Sequence, residues 1–428
     1  MMPRIAKLTL ILVLTAVLAA FLPDLYWNVF NKKAPGGQLY YSAVSNDFLF
    51  RGIDENDQTV YETRDGRKLT REEFETNLPF LHIHDMEKWG KTPVEIDGLV
   101  FDSRQVHAER QFFRITPYHI TEPNIELYPL FESQSKYADL ENPREMFRIR
   151  DRIEFIRAED NSIDEEMSTM FTDKLKEAGF TFPAKYLAGN PTTMKPFDEG
   201  YFIVDDNNKI FHLKKIKDKP WCKDTGLAPP SGVKYMSISE DQRKEFYGCL
   251  ITGDDRVFLI SYFDYRLIEL PIREYYQPDR HGMFFIADPL NRTIMFNSYT
   301  NTRDITGSEK ITAAALDRNY KKVMSYSVDR DRSSTEMARR IERIIFPFYL
   351  ERNVAGSEYM GLNLEFNGAS ALIGVAASLI LLVLLTKIRS ESITRAWPEF
   401  LFTAFTGIYG LIALLIAGST KKRVFTEK

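Results

Sequence analysis

The residues best suited to chemistry in this 428-residue chain are few and widely spaced. His82-Ile83-His84-Asp85 is the most metal-like run, because on a strand both imidazoles would share one face with a carboxylate adjacent. A complete site needs a third and usually a fourth ligand. None is recognisable nearby in sequence, so no metal or cofactor is assigned; the competing reading is a polar loop after the apolar Leu78-Pro79-Phe80-Leu81. Asp205 and Asp254, at the tips of turns, are the carboxylates a hydrolase would use. The run Asp205-Asp206-Asn207-Asn208 lacks the later glycine and bidentate glutamate of a calcium loop. Cys222 and Cys249 each lie near an apolar hairpin; in an oxidising compartment they would pair, and otherwise they pack as thiols. No G-x-x-x-x-G-K-[ST], G-x-G-x-x-G, H-E-x-x-H or G-x-S-x-G run occurs, which argues against an ATPase, a zincin or an α/β-hydrolase. No catalytic residue is assigned.

The elements that would position these residues follow from how the apolar residues are distributed. The chain is 44% hydrophobic, and Lys+Arg at 56 against Asp+Glu at 60 lacks the basic excess of a nucleic-acid binder. Much of the apolar content sits in three nearly uncharged stretches, 8–22, 368–385 and 400–417. The first follows Arg4 and Lys7, as a signal peptide or an uncleaved anchor would, and its poor cleavage site favours the anchor. The other two are long enough to approach the ~30 Å hydrocarbon core and are joined by a short polar loop, which predicts a transmembrane hairpin. Small residues from Gly368 to Ser378 suit close helix packing, within the hairpin or against a separate membrane subunit. The predicted organisation is an anchor at 1–26, a globule at 27–367, a transmembrane hairpin at 368–417 and a basic tail at 418–428.

Orientation is contested by the charges. With three spans, exporting the globule places Arg4, Lys7, Lys387, Arg389 and Arg395 inside, but Lys32, Lys33, Lys421, Lys422, Arg423 and Lys428 outside. The signal-like first segment breaks the tie in favour of an exported, outward-facing globule.

Within the globule, the segments 200–216, 247–263 and 281–299 each read as an aromatic-rich strand, an Asp-centred turn and a second apolar strand, with a fainter copy at 47–69. Their spacing brackets the ~40–50 residues of a propeller blade. The fold class is therefore mainly β with a few helices, propeller-like or another antiparallel meander, plus three transmembrane helices. Capping boxes predict helices after Thr70, Ser162 and Ser333, the second carrying Ile163, Met167, Phe171 and Leu175 on one apolar face. Tyr118, Tyr128, Tyr275 and Tyr276 lie beside prolines and offer a recognition surface or rim packing.

Three phrases, TNLPFLHIHDMEKWGKTP (76–93), LYPLFESQSKYADLENPREMFRI (127–149) and GFTFPAKYLAGNPTTMKPFDEGYFIVDDNNKIFHLK (179–214), resemble a family of membrane-anchored proteins from Bacteroides-like bacteria whose domain is of unknown function. The resemblance covers most of the globule and its anchors, and it implies an accessory component encoded near ABC-type transporter genes in a bacterial envelope. It supplies no catalytic residues. The expected function is thus a non-enzymatic, membrane-anchored envelope protein whose partners are the lipid bilayer and integral membrane transporter subunits. The alternatives are an exported hydrolase and a transmembrane sensor.

Overall fold

The computed structural model describes residues 2–30, 37–54, 58–121, 125–298, 309–330, 333–353, 361–389 and 393–417. The 418–428 tail and most of the 31–37 linker lie outside them. Ten α-helices are found among the described residues: α1 Met2–Phe30, α2 Arg71–Asn77, α3 Ile83–Lys88, α4 Ser103–Ala108, α5 Pro117–Thr121, α6 Glu165–Glu177, α7 Ser333–Ile345, α8 Ala371–Ile388, α9 Trp397–Thr406 and α10 Ile408–Ala417. The remainder is mainly antiparallel β-sheet. The chain divides into two compact units, one of 1–35, 301–309 and 330–428, the other of 36–300 and 310–329.

The second unit is built from consecutive meanders. Four-stranded sheets occupy 37–69 (sheet I), 128–164 (II), 186–227 (III) and 233–269 (IV). A five-stranded sheet V combines 281–330 with the earlier strand Gln111–Ile115, which pairs antiparallel with His281–Ala287. All four hairpins read from the sequence are present as antiparallel strand pairs. Tyr201–Val204 and Val257–Ser261 are buried along their whole length, and the packing shows why: alternate residues face opposite neighbours. Tyr201 and Ile203 pack with Phe147 and Phe155 of sheet II, whereas Phe202 and Val204 pack with Met236, Leu250 and Ile260 of sheet IV. Cys249, Ile251 and Leu259 of sheet IV then meet Phe113, Phe285 and Ile294 of sheet V. On its other side sheet V meets Leu39, Phe48 and Phe50 of sheet I through Met295, Ala313 and Ala315. Both faces of sheets III, IV and V are thereby buried.

The helix predictions are shifted rather than lost. Thr70 caps α2 with the reciprocal Glu73 box. α6 opens at Glu165 under an Asp164 cap, because Ile163-Asp164 pairs as a short strand with Phe155-Ile156. Met167, Phe171 and Leu175 then reach the sheet II and III core, and Gly179, at φ +88°, ends the turn.

The first unit holds the apolar helices. Two segments, Ile5–Phe30 and Gly368–Ile388, have the length and composition to cross a membrane. The third expected span is corrected: 397–417 is broken into α9 and α10, ten residues or about 15 Å each. The break is Gly407, at φ +56° and ψ −133°, a backbone state open mainly to glycine. The chain reverses there. Phe402 of α9 lies 3.1 Å from where a Cβ on Gly410 of α10 would sit, a distance that eight residues of continuous helix would forbid. Tyr409 lies in one apolar cluster with Ala19, while Ala413, Leu414 and Ala417 lie in another with Ile11, so α10 runs antiparallel to α1. Residues 330–367 belong to this unit too, not to the β-rich one. Tyr26 donates to Ala338 O at 2.7 Å, Tyr409 donates to Phe348 O at 2.7 Å, and Gly374 lets α8 approach Ile344 so closely that a Cβ would meet its carbonyl at 2.0 Å.

Candidate functional site

The densest polar chemistry in the β-rich unit is a buried seam along the sheet III, IV and V junctions. Lys195 lies in the loop before Tyr201–Val204, and its side chain is 2% exposed. Its ammonium donates to Asp198 Oδ1 at 2.7 Å, to Glu240 Oε1 at 2.9 Å and to Asn190 O at 2.8 Å. Asp198 also accepts from Ser133 Oγ and Gly200 N, and Glu240 accepts from Glu199 N. Burial pushes the Glu240 carboxyl above its ordinary range, and Lys195 opposes that shift. One residue on, Glu199 binds Lys214 of its own sheet and the Tyr262 hydroxyl of sheet IV. The arrangement recurs at the next junction. Glu245 of sheet IV holds the Arg292 guanidinium of sheet V at 2.9 and 3.0 Å and takes the Tyr320 hydroxyl. In both places an acid just before a sheet's second strand fixes a tyrosine after the third strand of the following sheet.

His212 sits at the centre of the first junction, with no exposed surface. Its Nε2 lies 2.5 Å from Glu199 O, an atom that can only accept, so this nitrogen carries the proton and Nδ1 accepts from Tyr265 at 2.9 Å. Burial, with repulsion from Lys214, pushes the imidazole down to about 3, so it stays neutral across physiological pH. Phe202 stacks on it at 4.3 Å. A neutral, doubly bonded, solvent-excluded histidine positions backbone; it does not shuttle protons. His212 belongs to no local motif, and only its strand register against the next sheet discloses this role.

The carboxylates proposed for hydrolysis are committed to turns. Asp205 Oδ1 accepts from Asn207 N and Lys209 N at 2.8 Å each, and its Oδ2 accepts from Thr181 N. Asp254 accepts the Ser231 and Thr252 hydroxyls, which hold its carboxyl below the ordinary range. Cys222 and Cys249 are both free. They belong to different cores, sheets II and III for Cys222 and sheets IV and V for Cys249, so register and packing keep them from pairing. Burial raises both thiols, Cys222 to about 12. Of the proline-flanked tyrosines, Tyr276 is buried, and Tyr128 and Tyr275 pack against core clusters, which favours the packing reading.

The His82 run changes more. It is helical, not extended: His82 is the N-cap of α3 and Asp85 lies in its first turn. His84 is therefore turned away, 3.5 Å from Glu87 and with its ring centroid 4.6 Å from that of His107, tilted by 40°. The partner the sequence did not disclose is Glu75. It lies on α2, whose Phe74 and Leu78 anchor in the sheet I core, while Ile83 and Met86 anchor α3 in a neighbouring cluster. The apolar 78–81 segment joins the helices so that Glu75, His82 and Asp85 place ligand atoms within 4.8 Å of one another. Arg71 Nε binds Glu75 Oε1 at 2.5 Å. Burial holds the His82 imidazole below its ordinary range, and Arg51 and Arg71 add to that.

Serial antiparallel sheets, sealed at their junctions by buried acid, base and tyrosine groups, define a β-meander protein with an apolar helical unit. The chain belongs to the family described as domain of unknown function DUF4857, whose model matches residues 38–306. No curated protein matches it.

Proposed function

We propose that the protein is a non-enzymatic, membrane-anchored component of the bacterial envelope that presents its β-rich unit, on the periplasmic side of the inner membrane, to an integral membrane complex such as an ABC-type transporter. The observation that carries the reading is the fold-back of α9 and α10. Because α10 returns along α1 towards Leu8 and Ile11, α10 ends at Ala417 near the N-terminal end of α1, and the topology proposed puts the sequence after it on the side of the N-terminus. Arg4, Lys7, Lys387, Arg389, Arg395, Lys421, Lys422, Arg423 and Lys428 then share one side, against Lys32 and Lys33 on the other. The divided vote of a three-span topology becomes nine to two, and the positive-inside rule assigns the nine to the cytoplasm.

Partner docking in the bilayer is supported by α8, which leaves Leu372, Ile373, Ile380, Leu381 and Leu384 exposed while Gly374 and Ser378 are used internally. The meander spacing supports a propeller-like array: sheets III, IV and V begin at 186, 233 and 281, steps of 47 and 48 residues. Membrane fractionation followed by purification in mild detergent tests the function. Retention in membranes after alkaline extraction, with co-purifying membrane subunits, is expected. Release into the supernatant refutes the anchor, and recovery as a lone monomer in several detergents refutes the accessory role.

A further inference from the structure

We propose that Glu75, His82 and Asp85 form a binding site for one divalent first-row transition metal ion of the Zn²⁺ class. The three residues supply one imidazole and two carboxylates, a borderline donor set that suits such ions better than an all-oxygen calcium or magnesium site.

An observation beyond the clustering points to an ion. Glu75 is 3% exposed, and its Oε2 is buried with no hydrogen-bond partner. His82 faces Asp85 through Nδ1, and its Nε2 is buried with no partner as well. Buried polar atoms are satisfied in the great majority of cases, so the orphaned Glu75 oxygen among three clustered ligands marks a site shaped for something else. The other Glu75 oxygen is held by Arg71 at 2.5 Å, as the outer bond to a ligating carboxylate commonly is, and this fixes Oε2 as the free donor.

The movement required is small. With bonds of about 2.0–2.2 Å, donors around such an ion lie about 3–3.5 Å apart. His82 Nδ1 and Asp85 Oδ2 are now 4.0 Å apart, and one donor atom from each of the three residues lies within 4.8 Å of the others. Glu75 is fixed in the core, whereas His82 and Asp85 sit on the first turn of a six-residue helix with partly exposed side chains, so those two close on the ion. Three protein ligands leave at least one position for water or another ligand, which makes the site open rather than structural.

The test is calorimetric titration with Zn²⁺ of the full-length, chelator-stripped protein in detergent, carrying no histidine tag. The expected result is one Zn²⁺ per chain, binding weakened at least about tenfold in Glu75→Gln, His82→Gln and Asp85→Asn, and unchanged binding in His84→Ala. Metal-free melting temperatures of each variant show that the fold is kept, and Asp85→Asn, the most exposed of the three, serves if the Glu75 variant unfolds. Absence of stoichiometric binding overturns the proposal. So does unchanged affinity in folded Glu75→Gln or Asp85→Asn, or loss of binding in His84→Ala.

Discussion

Replacing Lys195 by methionine should expose how the sheet III and IV junction is held. The ammonium is the shared partner of Asp198 and Glu240, whose side chains are 1% and 0% exposed. Methionine keeps the volume and apolar stem but leaves two buried carboxylates facing each other. Removing one partner of a buried ion pair costs about 3–5 kcal/mol. At about 2–4 °C per kcal/mol for a unit of this size, the melting temperature should fall by roughly 6–20 °C.

The pH dependence has a definite sign. The Glu240 carboxyl is raised by burial even with Lys195 present. A carboxyl whose folded pKa exceeds its unfolded value binds protons preferentially in the folded state, so stability falls as pH rises through that window. Without the ammonium the rise is larger. The deficit of Lys195→Met against the parent should therefore be greatest at pH 8 and shrink towards pH 5. Adding Glu240→Gln should restore most of the loss at pH 8. Thermal unfolding by circular dichroism across this range is the assay. A melting-temperature loss under 2 °C, or a deficit that widens on acidification, would refute the reasoning.

His212, pushed down to about 3 while the unfolded imidazole titrates near 6.5, should cost stability as pH falls below 6.5, by about 1.4 kcal/mol per unit. Denaturant titrations of His212→Asn, uncharged in both states, should show a flatter acid limb, and an unchanged slope would contradict the assignment. Tyr320→Phe removes a hydroxyl from Glu245 without disturbing the Arg292 fork. It should cost about 1–2 kcal/mol, and a neutral result in chemical unfolding would mean that the recurring tyrosine contact is incidental. Gly407→Val places a side chain where a Cβ already lies 3.0 Å from Pro347, at a φ of +56°. Lower yield of detergent-stable protein is expected, and a variant as stable as the parent would show that the reversal at Gly407 is not required.

Much of the fold was written locally. Hairpins announced themselves because Asp205, Asp254 and Asp288 bond their own turn amides or hydroxyls, a signal contained in four or five residues. The 145–157 hairpin was harder to see: Glu145–Ile149 and Ile153–Arg157 bury only alternate residues and are thick with arginine and glutamate. Gln111–Ile115 could not be placed at all, since its pairing with His281–Ala287 spans some 170 residues. The single long apolar run at 400–417 concealed its break because Gly407 is one glycine among several, and its positive-φ position packs against Pro347 and Val375, which are distant in sequence. At the candidate metal site the local motif was legible, but on the wrong element. Helical geometry at 83–88 replaced His84 by Glu75, a residue nine positions earlier whose burial depends on α2 docking against sheet I.

Sidedness of the two chain termini relative to the β-rich unit is the most direct test of the membrane account. The natural cysteines cannot report it, because Cys222 is largely buried and Cys249 completely so. Single cysteines placed at Arg4, at exposed Met194 and after Lys428, in a background lacking Cys222 and Cys249, can be labelled with an impermeant maleimide in intact spheroplasts and again after lysis. The account predicts labelling at 194 before lysis, and at both termini only after it. Labelling of the C-terminal probe in intact spheroplasts alongside position 194 would contradict the fold-back topology, and protection of position 194 until lysis would contradict export of the β-rich unit.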